Sequence, residues 1–216
     1  HLDAADGREP RAWIVDASTG AIFRRPSLRA SDRTPAAGSA RTMFNGDVTL
    51  DTARDTESGR FELIDPTRGN SRVTNLDRGV SFHPGAATPF VNTANAWGDG
   101  IRYDIANDTA SANGQTPAAD VAFAMARAWD FLAHVYGHSG LDGRGSAIEA
   151  RVHYGTRLDE AFWSRAVRAA FFGDGTAESL SPTDLETVAH ELGHGFWFAL
   201  IDSEGGLGSD ADAIGE

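Results

Sequence analysis

The amino-acid sequence predicts an α+β fold in which a β-rich N-terminal lobe precedes a long helix. Short β-prone segments separated by turn residues fill the first half of the 216-residue chain, and two helices with clear end signals lie in the second half. With 41% hydrophobic residues, the chain can bury a sizeable core as one domain, or one domain and a fragment. A wholly disordered chain is therefore excluded.

The first half of the chain carries most of the predicted strands. Residues 12–15 and 21–23 are apolar and β-prone on either side of the turn residues 16–20, which predicts a hairpin. The polar residues 24–38, rich in Arg, Ser and Pro, predict a linker. The other predictions for this half are strands at 43–50, 60–64 and 71–75, turns at 45–46 and 65–66, and long loops over 79–114.

A first helix is predicted to end at about residue 136. Thr116 is a suitable N-cap, Pro117 fits the first helical position, and Gly137 supplies a C-terminal stop. Apolar residues recur along this helix at spacings of three and four, which predicts one buried face. The residues of that face are Val121, Met125, Ala128, Leu132 and Val135.

A second helix is predicted over about residues 181–201, after short strands at 150–154 and 161–163. A Ser-Pro pair begins it. Asp184 and Glu186 lie in its first turns, where the helix dipole favours acidic side chains.

Charge and composition exclude several classes of function. Acidic side chains outnumber basic ones by 31 to 19, so the net charge of −12 repels phosphate backbones and anionic membrane surfaces. We therefore expect no nucleic-acid partner and no membrane partner. The chain has no Cys, so any metal must be held by His, Asp or Glu. It also has no Lys, which excludes Schiff-base chemistry.

The second predicted helix carries the strongest chemical signal, His190 and His194 with Glu191 between them. Side chains four residues apart are separated by roughly 6 Å of rise, so both imidazoles project from one face and can share a tetrahedral zinc ion. Glu191 lies about 100° round the helix, where its carboxylate can take a proton from water activated by the metal. Gly193 and Gly195 weaken an ordinary helix, which predicts close packing at both positions.

A downstream carboxylate must complete such a zinc site. A metzincin requires Gly and His three and six residues after the second His, and Trp197 and Leu200 at those positions exclude that subclass. The alternative interpretation of the motif is two buried histidines that share a helix face without a metal. The candidate carboxylates are Glu204, Asp210, Asp212 and Glu216.

Other histidines and aromatic residues have structural interpretations. His134 and His138 flank Gly137, where a cation near a helix C-terminus is favoured over a second metal site. His153 lies between apolar neighbours in a predicted strand, which predicts a hydrogen-bonded core residue or, as the alternative, a pocket lining. The aromatic residues predicted to lie in the core are Trp129, Phe131, Tyr136 and Phe162.

Several further motifs occur in a fixed order around this site. They are Asp65-Pro66-Thr67-Arg68-Gly69, Trp97-Gly98-Asp99-Gly100, Val152-His153-Tyr154-Gly155, Ala161-Phe162-Trp163, Phe172-Gly173-Asp174-Gly175 and Val188-Ala189-His190-Glu191-Leu192-Gly193-His194-Gly195. In these blocks, and in their order and approximate spacing, the sequence resembles the thermolysin-like zinc metallopeptidases, the bacterial secreted neutral proteases. Several blocks in register are far more specific than one motif.

The resemblance implies a division of the chain. Residues 13–22 resemble the last hairpin of the family's propeptide, so residues 1–29 are expected to be the C-terminal end of a propeptide and 30–40 a linker with the processing region. Residues 41–216 are then the N-terminal catalytic lobe, which ends in the zinc helix and is truncated at its end. With the family's C-terminal helical lobe missing, we expect the chain as given to be inactive alone.

The resemblance also implies site residues. The family's third zinc ligand is a Glu at the end of a short motif matched here by residues 213–216, so Glu216 is preferred and Asp210 is the alternative. The family aligns its substrate along an edge segment that corresponds to Glu160 and Ala161, whose backbone can pair with a substrate strand.

A calcium site is implied in the same way. Glu186 matches a family position that contributes to calcium binding, and the alternative is a carboxylate that stabilises the helix N-terminus. One departure concerns catalysis, because the family's oxyanion-stabilising Tyr has no counterpart over residues 195–216.

The function implied is a zinc-dependent endopeptidase with Zn²⁺ on His190, His194 and Glu216 and with Glu191 as general base. The resemblance further implies secretion to the extracellular space, with a signal peptide outside the given chain, and a zymogen whose own propeptide is a partner. It also implies proteins or peptides as substrates, and bound Ca²⁺. The alternative is a non-catalytic, peptidase-like module that binds peptides or partners.

Overall fold

The structure is a computed structural model that describes residues 13–15, 22–24, 33–83 and 85–203. The chain divides into two compact units, His1–Asp32 and Arg33–Glu216. In the first unit, strand β1 (Trp13–Val15) pairs antiparallel with β2 (Ile22–Arg24). The predicted N-terminal hairpin is therefore confirmed.

The second unit has an α+β fold, as predicted, with two sheets and two helices among its described residues. Its strands are β3 (Arg33–Thr42), β4 (Gly46–Asp55), β5 (Phe61–Glu62), β6 (Ile64–Asp65), β7 (Ser71–Asn75), β8 (Thr88–Pro89), β9 (Val91–Asn92), β10 (Ala96–Trp97), β11 (Glu149–Tyr154), β12 (Ala161–Ser164) and β13 (Ala169–Gly173). Its helices are α1 (Gln115–Tyr136) and α2 (Leu185–Ser203), and a 3-10 turn spans Pro66–Arg68.

The first sheet, of strand order β10-β3-β4-β5-β9, is built on a long antiparallel hairpin of β3 and β4. The predicted linker is therefore wrong from Arg33 onward. The N–H of Ser39 points away from β4 and donates to the Asn95 carbonyl at 3.0 Å. The nitrogen of Pro35 lies on the same edge of β3, so the strand tolerates a proline there. The pairing described with β10 covers Ser39 and Ala40, so Pro35 interrupts no ladder bond.

The turn between β3 and β4 occupies residues 43–45, so the strand predicted at 43–50 begins three residues late, at Gly46. Gly46 has φ 69°, a left-handed conformation that glycine adopts without steric cost. The strand predicted at 60–64 is divided between two sheets, because β5 pairs with β4 whereas β6 pairs with β7.

The second sheet is mixed, with the order β12-β13-β11-β7-β6 and with β8 also paired to β7. Strand β11 lies between β7 and β13 and is parallel to both, whereas β12 is antiparallel to β13 and forms the edge. The strands predicted at 71–75, 150–154 and 161–163 are confirmed within one residue. Strand β13 is absent from the predictions, although Phe171 and Phe172 in it are fully buried.

Both helices end within two residues of their predicted positions, but α2 begins at Leu185 rather than at about residue 181. The N-terminal end of α1 also differs from the prediction. Its N-cap is Gly114, without a side-chain cap. The Thr116 hydroxyl instead donates to Asp99 at 2.8 Å and thereby ties α1 to the loop after β10. Gly137 ends α1 with φ 65°, as predicted. No helix among the described residues is long and apolar enough to cross a bilayer.

The core lies between the sheets and the helices, but the C-terminal end of α1 does not enter it. Val121 and Met125 are buried, and Trp129 is 8% exposed. By contrast Val135 and Tyr136 are 58% and 66% exposed, so their predicted core positions are wrong. Phe131, also predicted to be buried, is 55% exposed because it borders an open groove between α1 and α2.

One arginine ties both sheets to α1. The guanidinium of Arg68 donates to the carboxylates of Asp51, Asp65 and Asp130 at 2.8, 2.6 and 2.8 Å. The hydrogen bond to Asp130 contributes most to holding the pKa of Arg68 above its ordinary value. Because only 14% of the Arg68 side chain is exposed, the three acids share one largely desolvated cation.

Replacement of Arg68 by Met should destabilise the protein. The three carboxylates would then repel one another without their shared cation, and we expect the free energy of unfolding to fall by about 2–3 kcal/mol. Urea unfolding at neutral pH measures this loss. Arg127→Met is the matched control, since Arg127 also pairs with Asp130 but is half exposed. Equal stability of the two variants would contradict the proposed role of the cluster.

A buried carboxylate ties α1 to the hairpin turn of the first sheet. Asp120 is 1% exposed and accepts hydrogen bonds from the backbone N–H groups of Met43 and Phe44 at 3.3 and 3.2 Å. Burial raises the pKa of Asp120 to about 7, despite the opposing effect of these two hydrogen bonds. The folded state therefore binds a proton that the unfolded chain releases near pH 4.

This raised pKa predicts that the contribution of Asp120 to stability falls as the pH rises from about 4 to about 7, by at most about 1.4 kcal/mol per pH unit. The sign is the reverse of that for a salt-bridged carboxylate, because here the ionised form is the disfavoured one. Asp120→Asn cannot ionise and should lack this dependence. We expect the difference in unfolding free energy between the variant and the wild type to change with pH over that range. A constant difference would contradict the raised pKa of Asp120.

Candidate metal centre

Two histidines on α2 converge on one point. The Nε2 atoms of His190 and His194 are 3.0 Å apart, and their rings are perpendicular with centroids 4.6 Å apart. This arrangement follows from the helix itself, because residues four apart lie one above the other on the same face. His190 is exposed and His194 is half-buried, so both nitrogens are reachable from solvent.

The geometry fits a zinc ion. Two nitrogen ligands on a tetrahedral zinc lie roughly 3.3 Å apart. The observed 3.0 Å is close to that separation, so both imidazoles can turn toward one ion without a shift of α2. Together with Glu191, these histidines form the one group of three potential ligands found within the described residues, with all ligand atoms within 4.8 Å of one another.

Glu191 belongs to a different face of the helix from the imidazoles. It is 6% exposed and lies on the buried stripe of α2 with Val188, Leu192 and Gly195. Packing on that stripe restricts the conformations of its side chain. The result is a confined carboxylate beside two accessible imidazoles.

The position of α2 depends on a close contact at Gly195. A Cβ atom on Gly195 would lie 2.8 Å from Cδ1 of Leu141 and 2.8 Å from Cζ2 of the Trp163 ring in β12. The close packing predicted at Gly195 is therefore confirmed. The same prediction is wrong for Gly193, which is exposed. A Cβ there would lie in open space beside the groove between α1 and α2.

Strand β12 has a backbone edge that is free on the side away from β13. The Gly173 N–H donates to the Glu160 carbonyl at 2.8 Å, which places the Glu160 carbonyl on the β13 side. Since backbone groups alternate along an antiparallel strand, those of Ala161 and Trp163 point to the opposite side. That edge pairs with no strand in the part of the chain that the structure describes.

The predicted substrate residues therefore differ in their surroundings. Ala161 presents its N–H and C=O to the free edge, whereas the carbonyl of Glu160 is already engaged by Gly173. Glu160 is exposed and lies just before the first residue of β12.

Within the described residues, none of the other predicted metal ligands lies beside the histidine pair. Glu204, Asp210, Asp212 and Glu216, the candidate third ligands, all lie outside the described residues. Glu186 is exposed in the first turn of α2, and it is not part of the group formed by His190, Glu191 and His194.

Three of the other histidines, His134, His138 and His153, take structural roles. His153 is buried, and its ring hydrogen-bonds both Asp174 and the Gly114 carbonyl, as expected for a core histidine. No local pattern in the sequence identifies Asp174 as its partner, because the two residues are 21 apart. His134 and His138 bond nearby carbonyl groups at the end of α1.

Comparison with known proteins identifies the family. The model described as the catalytic domain of the thermolysin metallopeptidases matches residues 37–197, which include the histidine pair and Glu191. The chain belongs to the thermolysin family of metallopeptidases. The family match begins within β3, consistent with the inclusion of β3 in the second unit.

Individual thermolysin-family relatives match most of this chain. The transglutaminase-activating metalloprotease of Streptomyces mobaraensis is 30% identical over 183 residues, which are 84% of this chain and 21% of that protein. Bacillolysin of Brevibacillus brevis is 28% identical, over 86% of this chain and 31% of its own. Thermolysin of Alicyclobacillus acidocaldarius is 27% identical, over 95% and 34%.

The chain thus spans between about a fifth and a third of the length of these relatives. Among solved structures, the protealysin precursor of Serratia proteamaculans matches with a TM-score of 0.43 and 22% identity, over 59% of this chain and 34% of that one.

The two helix glycines provide a matched pair of predictions. Gly195→Ala places a methyl group against the Trp163 ring and should lower the free energy of unfolding by about 1–3 kcal/mol. Gly193→Ala meets open space and should raise it by about 0.5–1 kcal/mol, because alanine favours the helix. Urea unfolding of both variants tests the opposite signs. Two stabilised or two destabilised variants would contradict the close contact at Gly195 and the open space at Gly193.

Proposed function

We propose that the protein to which this chain belongs is a zinc-dependent endopeptidase in which Glu191 assists the attack of water on a peptide bond. The observation that carries the proposal is the 3.0 Å approach of the His190 and His194 nitrogens beside the buried Glu191. Membership of the thermolysin metallopeptidase family supports it.

His190 and His194 would supply two nitrogen ligands to zinc. Glu216 is proposed as the third ligand, with Asp210 as the alternative. A donor set of imidazole and carboxylate suits zinc, and the absence of Cys from the chain leaves these as its ligand types. When bound, zinc supplies Lewis acidity, which polarises the scissile carbonyl and makes water more acidic.

Glu191 is proposed to move the proton. Its carboxylate accepts a proton from the attacking water and then delivers it to the departing amine nitrogen. Two features of the chain support this role. Glu191 lies on the helix face next to the imidazoles with a carboxylate oxygen within 4.8 Å of their nitrogens, and its burial restricts the side chain.

The free edge of β12 is proposed to bind the substrate. An extended peptide would add to the sheet through hydrogen bonds with the N–H and C=O of Ala161. The exposed Glu160 would then contribute its side chain next to the peptide. Because β12 packs against α2 through Trp163 and Gly195, a peptide on this edge lies beside the helix that carries the histidines.

The remaining expectations from the family resemblance are proposed for the whole protein. They are secretion, synthesis as a zymogen whose propeptide ends within residues 1–29, a catalytic lobe over residues 41–216, and calcium binding with a contribution from Glu186. We move one boundary: because β3 begins at Arg33, we propose cleavage at residues 30–32, within the expected processing region 30–40, and a catalytic lobe that begins at Arg33 rather than at residue 41.

Glu191→Gln in the full-length protein tests the mechanism. The amide cannot accept the proton, so hydrolysis of casein should fall by about 10²- to 10⁴-fold. Zinc content, measured by elemental analysis, should remain at that of the wild type because both histidines are retained.

Glu178→Gln is the control, since Glu178 is an exposed residue before α2, and it should retain full activity. Stoichiometric zinc without cleavage that depends on Glu191 would favour the alternative, a non-catalytic module that binds peptides. A protein without zinc would refute the proposed metal centre.

A further inference from the structure

A buried polar pair lies behind the edge strand. Nδ1 of His153 is 2.5 Å from Oδ1 of Asp174, and Nε2 of His153 is 2.8 Å from the carbonyl oxygen of Gly114. Both side chains are almost completely removed from solvent. The pair connects three segments that are distant in sequence: β11, the loop after β13 and the residue that caps α1.

The protons of this pair can be assigned from its acceptors. A carbonyl oxygen only accepts, so the hydrogen on Nε2 points to Gly114. One further proton must lie between Nδ1 and the carboxyl group of Asp174, whichever of the two atoms holds it. Removal of that proton or of either side chain leaves a buried polar atom without its partner, which is costly.

The position of Asp174 links this pair to the substrate edge. Asp174 stands between Gly173 and Gly175, whose N–H groups donate to the carbonyls of Glu160 and Leu158, each at 2.8 Å. These two hydrogen bonds hold the segment that enters β12. The anchored carboxylate of Asp174 thus holds the segment Gly173–Gly175, and this segment holds the start of β12.

Leu158 leaves this segment little freedom. A Cβ on Gly173 would lie 2.2 Å from the Leu158 carbonyl oxygen, and one on Gly155 would lie 2.3 Å from Cδ1 of Leu158. Glycine is therefore required on both sides of it.

The backbone at His153 also shows that the pair is maintained at a cost. His153 has φ 59°, in the left-handed region, where the register between β11 and β13 shifts. Such a conformation is unfavourable for histidine and persists where surrounding contacts determine it. The contacts here are the two hydrogen bonds and the Tyr103 ring, whose centroid is 4.7 Å from that of His153.

We propose that His153 and Asp174 are positioning residues for substrate. Through the segment Gly173–Gly175 they set the place and direction of β12, so that the backbone of Ala161 meets an extended peptide beside α2. The inference rests on the proposed peptidase function, and neither residue touches the substrate. It predicts a loss in peptide binding rather than in the chemical step.

The test uses the full-length protein, after zinc content and dependence on Glu191 have been established for the wild type. Asp174→Ala should raise KM about five- to tenfold for a peptide of about eight residues, as expected for one misplaced strand hydrogen bond. The value of kcat should stay within about twofold, because lost uniform binding affects KM. For a blocked dipeptide, which pairs with less of β12, KM should rise less than about twofold.

Asp174→Asn is the conservative variant. Its amide can donate to Nδ1 and leave the Nε2–H bond to Gly114 intact, while its oxygen takes the place of Oδ2, which has no hydrogen-bond partner in the described structure. We expect its KM to match that of the wild type. His153→Asn tolerates the left-handed backbone but cannot span both partners, so it should reproduce Asp174→Ala and serves if that variant fails to fold.

Thr52→Val is the matched structural control, because Thr52 is fully buried and hydrogen-bonded in the other sheet. It should lower thermal stability without changing the ratio of KM values for the two substrates. Three results would each overturn the proposal: equal KM increases for both substrates, a fall in kcat at constant KM, or an Asp174→Asn variant as impaired as Asp174→Ala. Absence of zinc or of Glu191-dependent cleavage in the wild type would instead refute the proposed function.

Discussion

The close contact between α2 and β12 is the constraint on which the candidate centre depends. Because Gly195 has no side chain, the helix backbone approaches the Trp163 ring more closely than any other residue would permit. His194, one residue earlier, therefore lies on a helix packed directly against the edge strand. The two histidines and a free backbone edge thus become neighbours, although the helix and the strand belong to separate parts of the chain.

Buried polar groups determine how the elements around this contact are arranged. Apolar packing tolerates small shifts, whereas a buried charge or hydrogen bond loses much of its energy when its partner moves. Arg68 joins both sheets to α1, Asp120 joins α1 to the first hairpin, and His153 joins β11 to Asp174 and to the start of α1. The scaffold behind the histidines is therefore held by specific directional contacts in addition to its apolar core.

Local sequence signals predicted the elements whose ends and periodicity are encoded nearby. Gly137 ends α1 as expected, and β7 occupies the predicted residues. The predictions failed where a distant contact overrides local preference. Pro35 suggested a linker, but the long pairing with β4 makes it part of β3, and Thr116 bonds Asp99 instead of capping α1. Val135 fits the apolar pattern of a buried face but lies where no core is present to receive it.

The sequence by itself determined the convergence of His190 and His194, because residues four apart on a helix must share a face whatever surrounds them. It also indicated the family, through several motifs in register. The tertiary structure alone decided that Glu191 is buried beside this pair, that Gly195 rather than Gly193 is the packing contact, and that Ala161 faces a free edge. These properties arise from contacts between residues far apart in the chain, and such contacts leave no periodic signal in the local sequence.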